Sequence, residues 1–168
     1  RMSVDAISTP RPHLKDSTMI RIDVTNAPLL DYLERLTARL EDLGPAMGSI
    51  GMELENRIRE RFETRRDPLG TAWAEWSPAT VENYPEDGER KLLERYGDML
   101  GSLNHRAGRD SVAVGFGQPY AAYHEFGTKH MPRRGLLFAD PEAGTLAPDD
   151  EQAVIEIIEG YLSGEFGT

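Results

Sequence analysis

The sequence has no cysteine, which excludes disulfide staples, thiolate metal sites and a cysteine nucleophile. It has no apolar run near the ~20 residues that span a bilayer, and its first residues lack the apolar stretch of a signal peptide. The expectation is a soluble chain made in the cytosol. A Gly-x-x-x-x-Gly-Lys-Ser/Thr phosphate loop and a Gly-x-Ser-x-Gly nucleophile elbow are both missing. Gly115-Phe-Gly117 matches only the opening of a dinucleotide fingerprint, with Tyr120 where the third glycine belongs. Positive charge is also short. The net charge is −10, and residues 140–168 hold eight Asp or Glu with no Lys or Arg. Duplex binding draws most of its affinity from cations meeting phosphates, so this chain is expected to stand beside DNA without gripping it.

What is present suits one domain of 168 residues, large enough to bury roughly two thirds of its unfolded surface. Residues 1–18 are polar and read as a flexible extension, residues 19–162 as a single ordered domain, and residues 163–168 as a frayed end. Ile20, Ile22 and Val24 alternate with Arg21 and Asp23, which predicts a strand opening at Met19. Thr25 or Asn26 then caps a helix with Pro28 in its first turn, and Leu29, Leu33, Leu36, Leu40 and Leu43 form its predicted core stripe. A second helix from about Ala46 to Arg66 turns Met47, Ile50, Leu54, Ile58 and Phe62 inward, opposite Glu53, Arg57, Glu60 and Arg61.

Asp67-Pro-Leu-Gly70 is a turn, Trp73 and Trp76 are anchors that pin a long loop to the core, and Ser77-Pro-Ala-Thr80 starts a short helix. Short helices are expected at Leu92–Tyr96 and at Met99–Leu103. Asn104–Ala107 and Ser111–Gly117 then alternate as a hairpin. Asp149 or Asp150 is expected to cap a last helix that buries Val154, Ile157, Ile158, Tyr161 and Leu162 and solvates Glu151, Glu156 and Glu159. The fold class is α+β, with long N-terminal helices and a C-terminal helix packed on a small antiparallel sheet.

The densest chemistry lies between Tyr120 and Phe138. Tyr120, Tyr123, His124 and Phe126 fall at helical spacing and predict a helix seated on the hairpin and ended by Gly127. His124-Glu125 invites a zinc hydrolase reading, in which two histidines one helical turn apart flank a general base. The spacing fails, because His130 is six residues on and beyond Gly127, and His13 and His105 are distant in sequence. No catalytic, cofactor-binding or metal-binding residue is therefore assigned, and no cofactor is expected. Lys129, Arg133 and Arg134, with His130 among them, form a compact basic patch that is expected to meet the acidic surface of a neighbouring subunit. The candidate interface is Lys129, His130, Met131, Arg133, Arg134, Leu136, Leu137 and Phe138, and the acidic helix bearing Asp149, Asp150, Glu151, Glu156 and Glu159 is expected to face the lumen of an assembly or an adjacent ring.

Several segments, in order, resemble the phage virion morphogenesis family, the tail completion proteins of Mu-like and P2-like phages. They are Arg59-Glu-Arg-Phe-Glu-Thr64 before the 67–70 turn, Trp73-Ala-Glu-Trp-Ser-Pro-Ala-Thr80, Tyr96-Gly-Asp-Met-Leu-Gly-Ser-Leu103, Ser111-Val-Ala-Val-Gly115 and Tyr120-Ala-Ala-Tyr-His-Glu-Phe-Gly127. The last is similar to the family's Tyr-Ala-x-x-His-Gln-Phe-Gly box. Met131-Pro-Arg-Arg-Gly-Leu-Leu-Phe138 departs from the family's Pro-x-Arg-Pro-Phe-Leu closure by lacking the second proline. The resemblance implies a non-enzymatic structural protein of the virion tail or neck, a tail terminator that joins tail to head as a ring of six. Its implied partners are copies of itself, tail tube or sheath proteins and head-tail connector or neck proteins. DNA would pass nearby without specific binding, and no membrane is involved. The rival readings are a small metal-dependent hydrolase using His124 and Glu125, and a monomeric regulatory binding module.

Overall fold

The computed structural model describes residues 27–86 and 91–164. The predicted extension 1–18, the strand opening at Met19 and residues 165–168 lie outside the described residues. The chain folds as α1 (Ala27–Glu41), α2 (Gly44–Thr64), α3 (Pro78–Glu82), α4 (Asp98–Gly101), β1 (Leu103–Ala107), β2 (Val112–Phe116), α5 (Ala121–Phe126) and α6 (Pro148–Ser163). This is the expected α+β class, helices around one two-stranded antiparallel sheet.

The long helix α2 is the spine. Pro45 sits in its first turn, where no amide hydrogen is needed, and Arg65 ends it in a left-handed conformation at φ 54°. Met47, Ile50, Ile58 and Phe62 are buried, each apolar side chain stabilising the fold by about 1.5–3 kcal/mol before ordering costs. Phe62 meets the edge of Trp73 with ring centroids 5.3 Å apart and lies 6.1 Å from Phe116. Trp73, Leu92, Met99, Leu103, Ala121 and Leu136 complete this core.

The hairpin forms as predicted, with Leu103 opposite Phe116 and Ala107 opposite Val112. It lies across α2 where Gly51 leaves room, because a Cβ there would enter the van der Waals shell of the His105 ring. His105 Nδ1 then reaches Glu55 at 2.8 Å.

Four expectations need correction. The leucine stripe of α1 is not core: Leu33 and Leu40 are 41% and 56% exposed, Leu36 and Leu43 are half-buried, and the burial of Leu29 lies outside what the structure describes. The physical reason is that α1 rests on α6 through its last turn, where Arg39 donates to the Leu162 carbonyl at 2.9 Å. Arg61, placed by periodicity on the solvent side of α2, is buried. Residues Leu92–Tyr96 make no helix; Leu93 takes φ 65° in a tight turn bridged by Lys91 and Glu94, which drops Leu92 into the core. Neither Asp149 nor Asp150 caps α6, whose N-cap is Ala147, without a side-chain hydrogen bond, and whose first turn opens on Pro148. Along α6, Val154, Ile157, Ile158, Tyr161 and Leu162 are half-buried, and Glu151, Glu156 and Glu159 are exposed as expected.

Candidate functional site

The helix α5 has six residues, and its buried face is Ala121 and Glu125 rather than the aromatics. Tyr120, Tyr123 and Phe126 are 40%, 60% and 57% exposed. They were expected to seat the helix on the hairpin. The small Ala121 instead lets the backbone descend onto the core, and Glu125, one turn later on the same face, follows it inward.

Glu125 organises the loop after α5. Its Oε2 accepts the amides of Leu136 at 2.6 Å and Leu137 at 2.8 Å, and its Oε1 accepts the amide of Phe138 at 3.2 Å. Arg133 donates to the same carboxylate at 3.2 Å, to the Glu125 carbonyl at 2.8 Å and to the Phe138 carbonyl at 2.6 Å. A buried carboxylate is stable only when its lone pairs are met in this way. Gly127, at φ 74°, lets the chain turn against Arg133, whose backbone nitrogen would lie 3.0 Å from an added Cβ.

The rest of the loop is threaded into the core. Arg134 donates to the carbonyls of Ala74 at 2.7 Å and Glu75 at 3.0 Å, and the indole of Trp73 donates to the Gly135 carbonyl at 3.1 Å. Leu136 is 1% exposed, and its carbonyl accepts from Arg61 at 2.7 Å. The other side of Arg61 is paired with Asp150, which Arg57 also approaches at 3.6 Å.

These contacts redistribute the candidate interface. The carboxylate that Arg133 meets belongs to its own chain, Arg134 caps its own tryptophan loop, and Leu136 is core. Lys129 and His130 are exposed, while Met131, Leu137 and Phe138 are half-buried. On the acidic helix, Asp150 turns inward to Arg61 and leaves the outward group as Asp149, Glu151, Glu156 and Glu159. Trp73 is the buried anchor expected of it, and Trp76 stacks on Tyr84 at 4.7 Å between centroids.

His124 sits on the wall of a cleft of about 1040 Å³ lined also by Trp76, Tyr84, Tyr120, His130 and Met131. Burial first, and then the Arg134 guanidinium, pushes its imidazole below the ordinary 6.5, so the ring is neutral near pH 7. Its Nδ1 is buried without a hydrogen-bond partner among the described residues. Partial burial and the Asp98 carboxylate push the Tyr120 phenol upward. The described residues bring no three His, Asp or Glu side chains together in a way that could hold a metal ion. In a hydrolase using His124 and Glu125, Glu125 would not be free to act as the general base, because both of its oxygens are occupied by four donors of the loop.

Sequence reasoning missed Glu125, Arg61 and Asp150 as the polar framework. A weak signal existed for two of them: Arg61 adjoins Phe62 and follows Ile58 by three positions, and Glu125 follows Ala121 by four.

This scaffold spends its charged groups on a fixed loop and leaves Tyr120, Tyr123 and Phe126 outside. The family model for the phage virion morphogenesis family matches residues 24–163, and the chain belongs to that family. It is similar to the Mu-like prophage FluMu G protein 2 of Haemophilus influenzae, 28% identical over 152 residues that cover 86% of this chain and 96% of that protein. No solved structure matches.

Proposed function

We propose that the chain is a non-enzymatic virion protein that completes the phage tail and joins it to the head, acting at the neck as a tail terminator ring of six copies. Its membership of the family supports a role in particle assembly. The observation that carries the finer reading is the fate of the Tyr120–Phe138 segment. Its carboxylate and both arginines fix backbone, whereas Tyr123, Phe126, Lys129 and His130 face outward. Such a segment holds a shape for a partner to meet.

The partners in this reading are further copies of the chain, tail tube or sheath proteins on one side and head-tail connector or neck proteins on the other. DNA passes without specific binding, consistent with the outward carboxylates of α6. No helix among the described residues is long and apolar enough to cross a membrane. The test is to silence the gene in a producing phage and image the particles. Filled heads separated from misfinished tails, rescued by the gene supplied in trans, are the expected result. Normal particles that lack the protein would overturn the proposal.

A further inference from the structure

We infer that residues 20–24 of the same chain pair along the open edge of β2 and turn the hairpin into a three-stranded sheet. Gly108 donates to the Ser111 carbonyl at 2.7 Å, and Gly117 donates to the Ser102 carbonyl at 3.1 Å. By the alternation of an antiparallel ladder, Asn104 with Gly115 and Arg106 with Ala113 are then the hydrogen-bonded pairs. The backbone groups of Val112, Val114 and Phe116 therefore point away from β1, and those of Leu103, His105 and Ala107 point away from β2. None of these amides meets a backbone partner among the described residues.

The two edges differ in what protects them. A sheet edge is normally blunted by charge, proline or a bulge, because unpaired backbone recruits any extended chain. On β1, Arg106 supplies an exposed charge. On β2, Val-Ala-Val-Gly-Phe has no charge, no proline and no bulge in its register. Its inward side chains Val112, Val114 and Phe116 are half-buried, although the last two pack against the core. A strand beside β2 covers both the polar edge and these side chains.

Residues 20–24, which lie outside the described residues, have the sequence pattern for that place. With Ile20, Ile22 and Val24 turned inward beside Val112, Val114 and Phe116, Arg21 and Asp23 fall on the outer face with Ala113 and Gly115. A slip by one residue would bury both charges, so the register is set. The added strand also brings the charge that β2 lacks and ends the sheet on a blunted edge.

The tether makes the same chain the source. Thr25 and Asn26 alone join Val24 to the start of α1 at Ala27. The other end of α1 is fixed to the hairpin turn, where Arg109 donates to the Glu41 carbonyl at 2.7 Å. From that corner the 15 residues of α1 extend about 22 Å and the five of β2 about 17 Å, while the steps from Ile22 to Ala27 span up to about 17 Å. A tether of this length reaches β2 with α1 inclined toward the hairpin, and it holds the segment at a high effective concentration.

The test is amide hydrogen exchange, read residue by residue by NMR on the full chain. Protection of Val112, Val114 and Phe116 is expected in the unmodified protein. Ile22→Pro removes a donor and breaks the strand, so these three amides are expected to exchange faster by about tenfold or more. Arg106 and Ala113, bonded within the hairpin, keep their protection. Ile22→Ala, a milder change, is expected to speed the same three amides and no others. Unprotected amides on the β2 edge of the unmodified chain overturn the inference, as does protection confined to Leu103, His105 and Ala107. Protection that survives Ile22→Pro assigns the edge to another occupant and also overturns it. In a refolded mixture of isotope-labelled and unlabelled chains, contacts between residues 20–24 and 112–116 are expected within one chain. Contacts found only between labelled and unlabelled chains assign the strand to a second copy and overturn the tether.

Discussion

At the scale of single residues, Glu125 decides the shape of the segment that the family resemblance made prominent. Three amides and one guanidinium converge on a side chain that is 5% exposed. Glu125→Gln keeps the volume but removes the charge and turns an amide group toward donors. Hydrogen bonds to charged groups are worth about 1.5–3 kcal/mol each, so a loss of at least ~1.5 kcal/mol is expected in urea unfolding. Faster hydrogen exchange at Leu136, Leu137 and Phe138 should accompany it. A neutral substitution would show that Arg133 and the backbone hold the loop alone. The neighbouring His124 gives a pH signature. Its folded value lies below the ordinary 6.5, so the unfolded chain takes up a proton that the fold resists. Its contribution is full above pH 6.5 and is lost as pH falls through the folded value. His124→Gln is expected to shrink the drop in stability between about pH 7.5 and about pH 5.5, measured by thermal unfolding, relative to the unmodified chain. An identical drop in both proteins would assign the pH dependence to other groups.

At the scale of elements, α2 and α6 are tied by a charge pair where the sequence pattern suggested two solvated faces. Arg61 and Asp150 have side chains only 10% and 3% exposed, and the loop carbonyl of Leu136 shares the arginine. Removing one partner of a buried pair typically costs about 3–5 kcal/mol, so Asp150→Ala is expected to fall in that range. Asp149→Ala, on the exposed side of the same turn, should stay within ~0.5 kcal/mol. Equal effects in chemical denaturation would mean that the pair is not the tie. This contrast also shows what was legible. The hairpin, the long core helix α2 and the Trp73 anchor follow from apolar period and turn residues, which act locally. The roles of Arg61, Glu125 and Asp150 depend on partners 75, 11 and 89 positions away. No local period encodes such pairings. Helix α1 failed the opposite way: its stripe is real, but whether a stripe is core depends on what lies beside it.

At the scale of the whole molecule, charge is the property that sequence and structure state most consistently. The chain carries −10, and the outward face of α6 presents Asp149, Glu151, Glu156 and Glu159 without a cation in the helix. In the ring reading that face borders the lumen or an adjacent ring, and its consequence for DNA is electrostatic. A wall of carboxylates holds no phosphate and releases no counterions, so the unmodified chain is expected to show no shift of a short duplex even at about 0.05 M salt. Glu156→Lys with Glu159→Lys places two cations one helical turn apart on this exposed face. Each new phosphate contact would steepen the salt dependence of log K by about 0.9. Weak duplex binding that disappears by about 0.2 M salt is therefore expected of the double variant. If the unmodified chain binds duplex DNA, the acidic face is not what DNA passes. If it does not and the variant does, the sign of α6 alone separates a surface that lets DNA slide from one that would retain it.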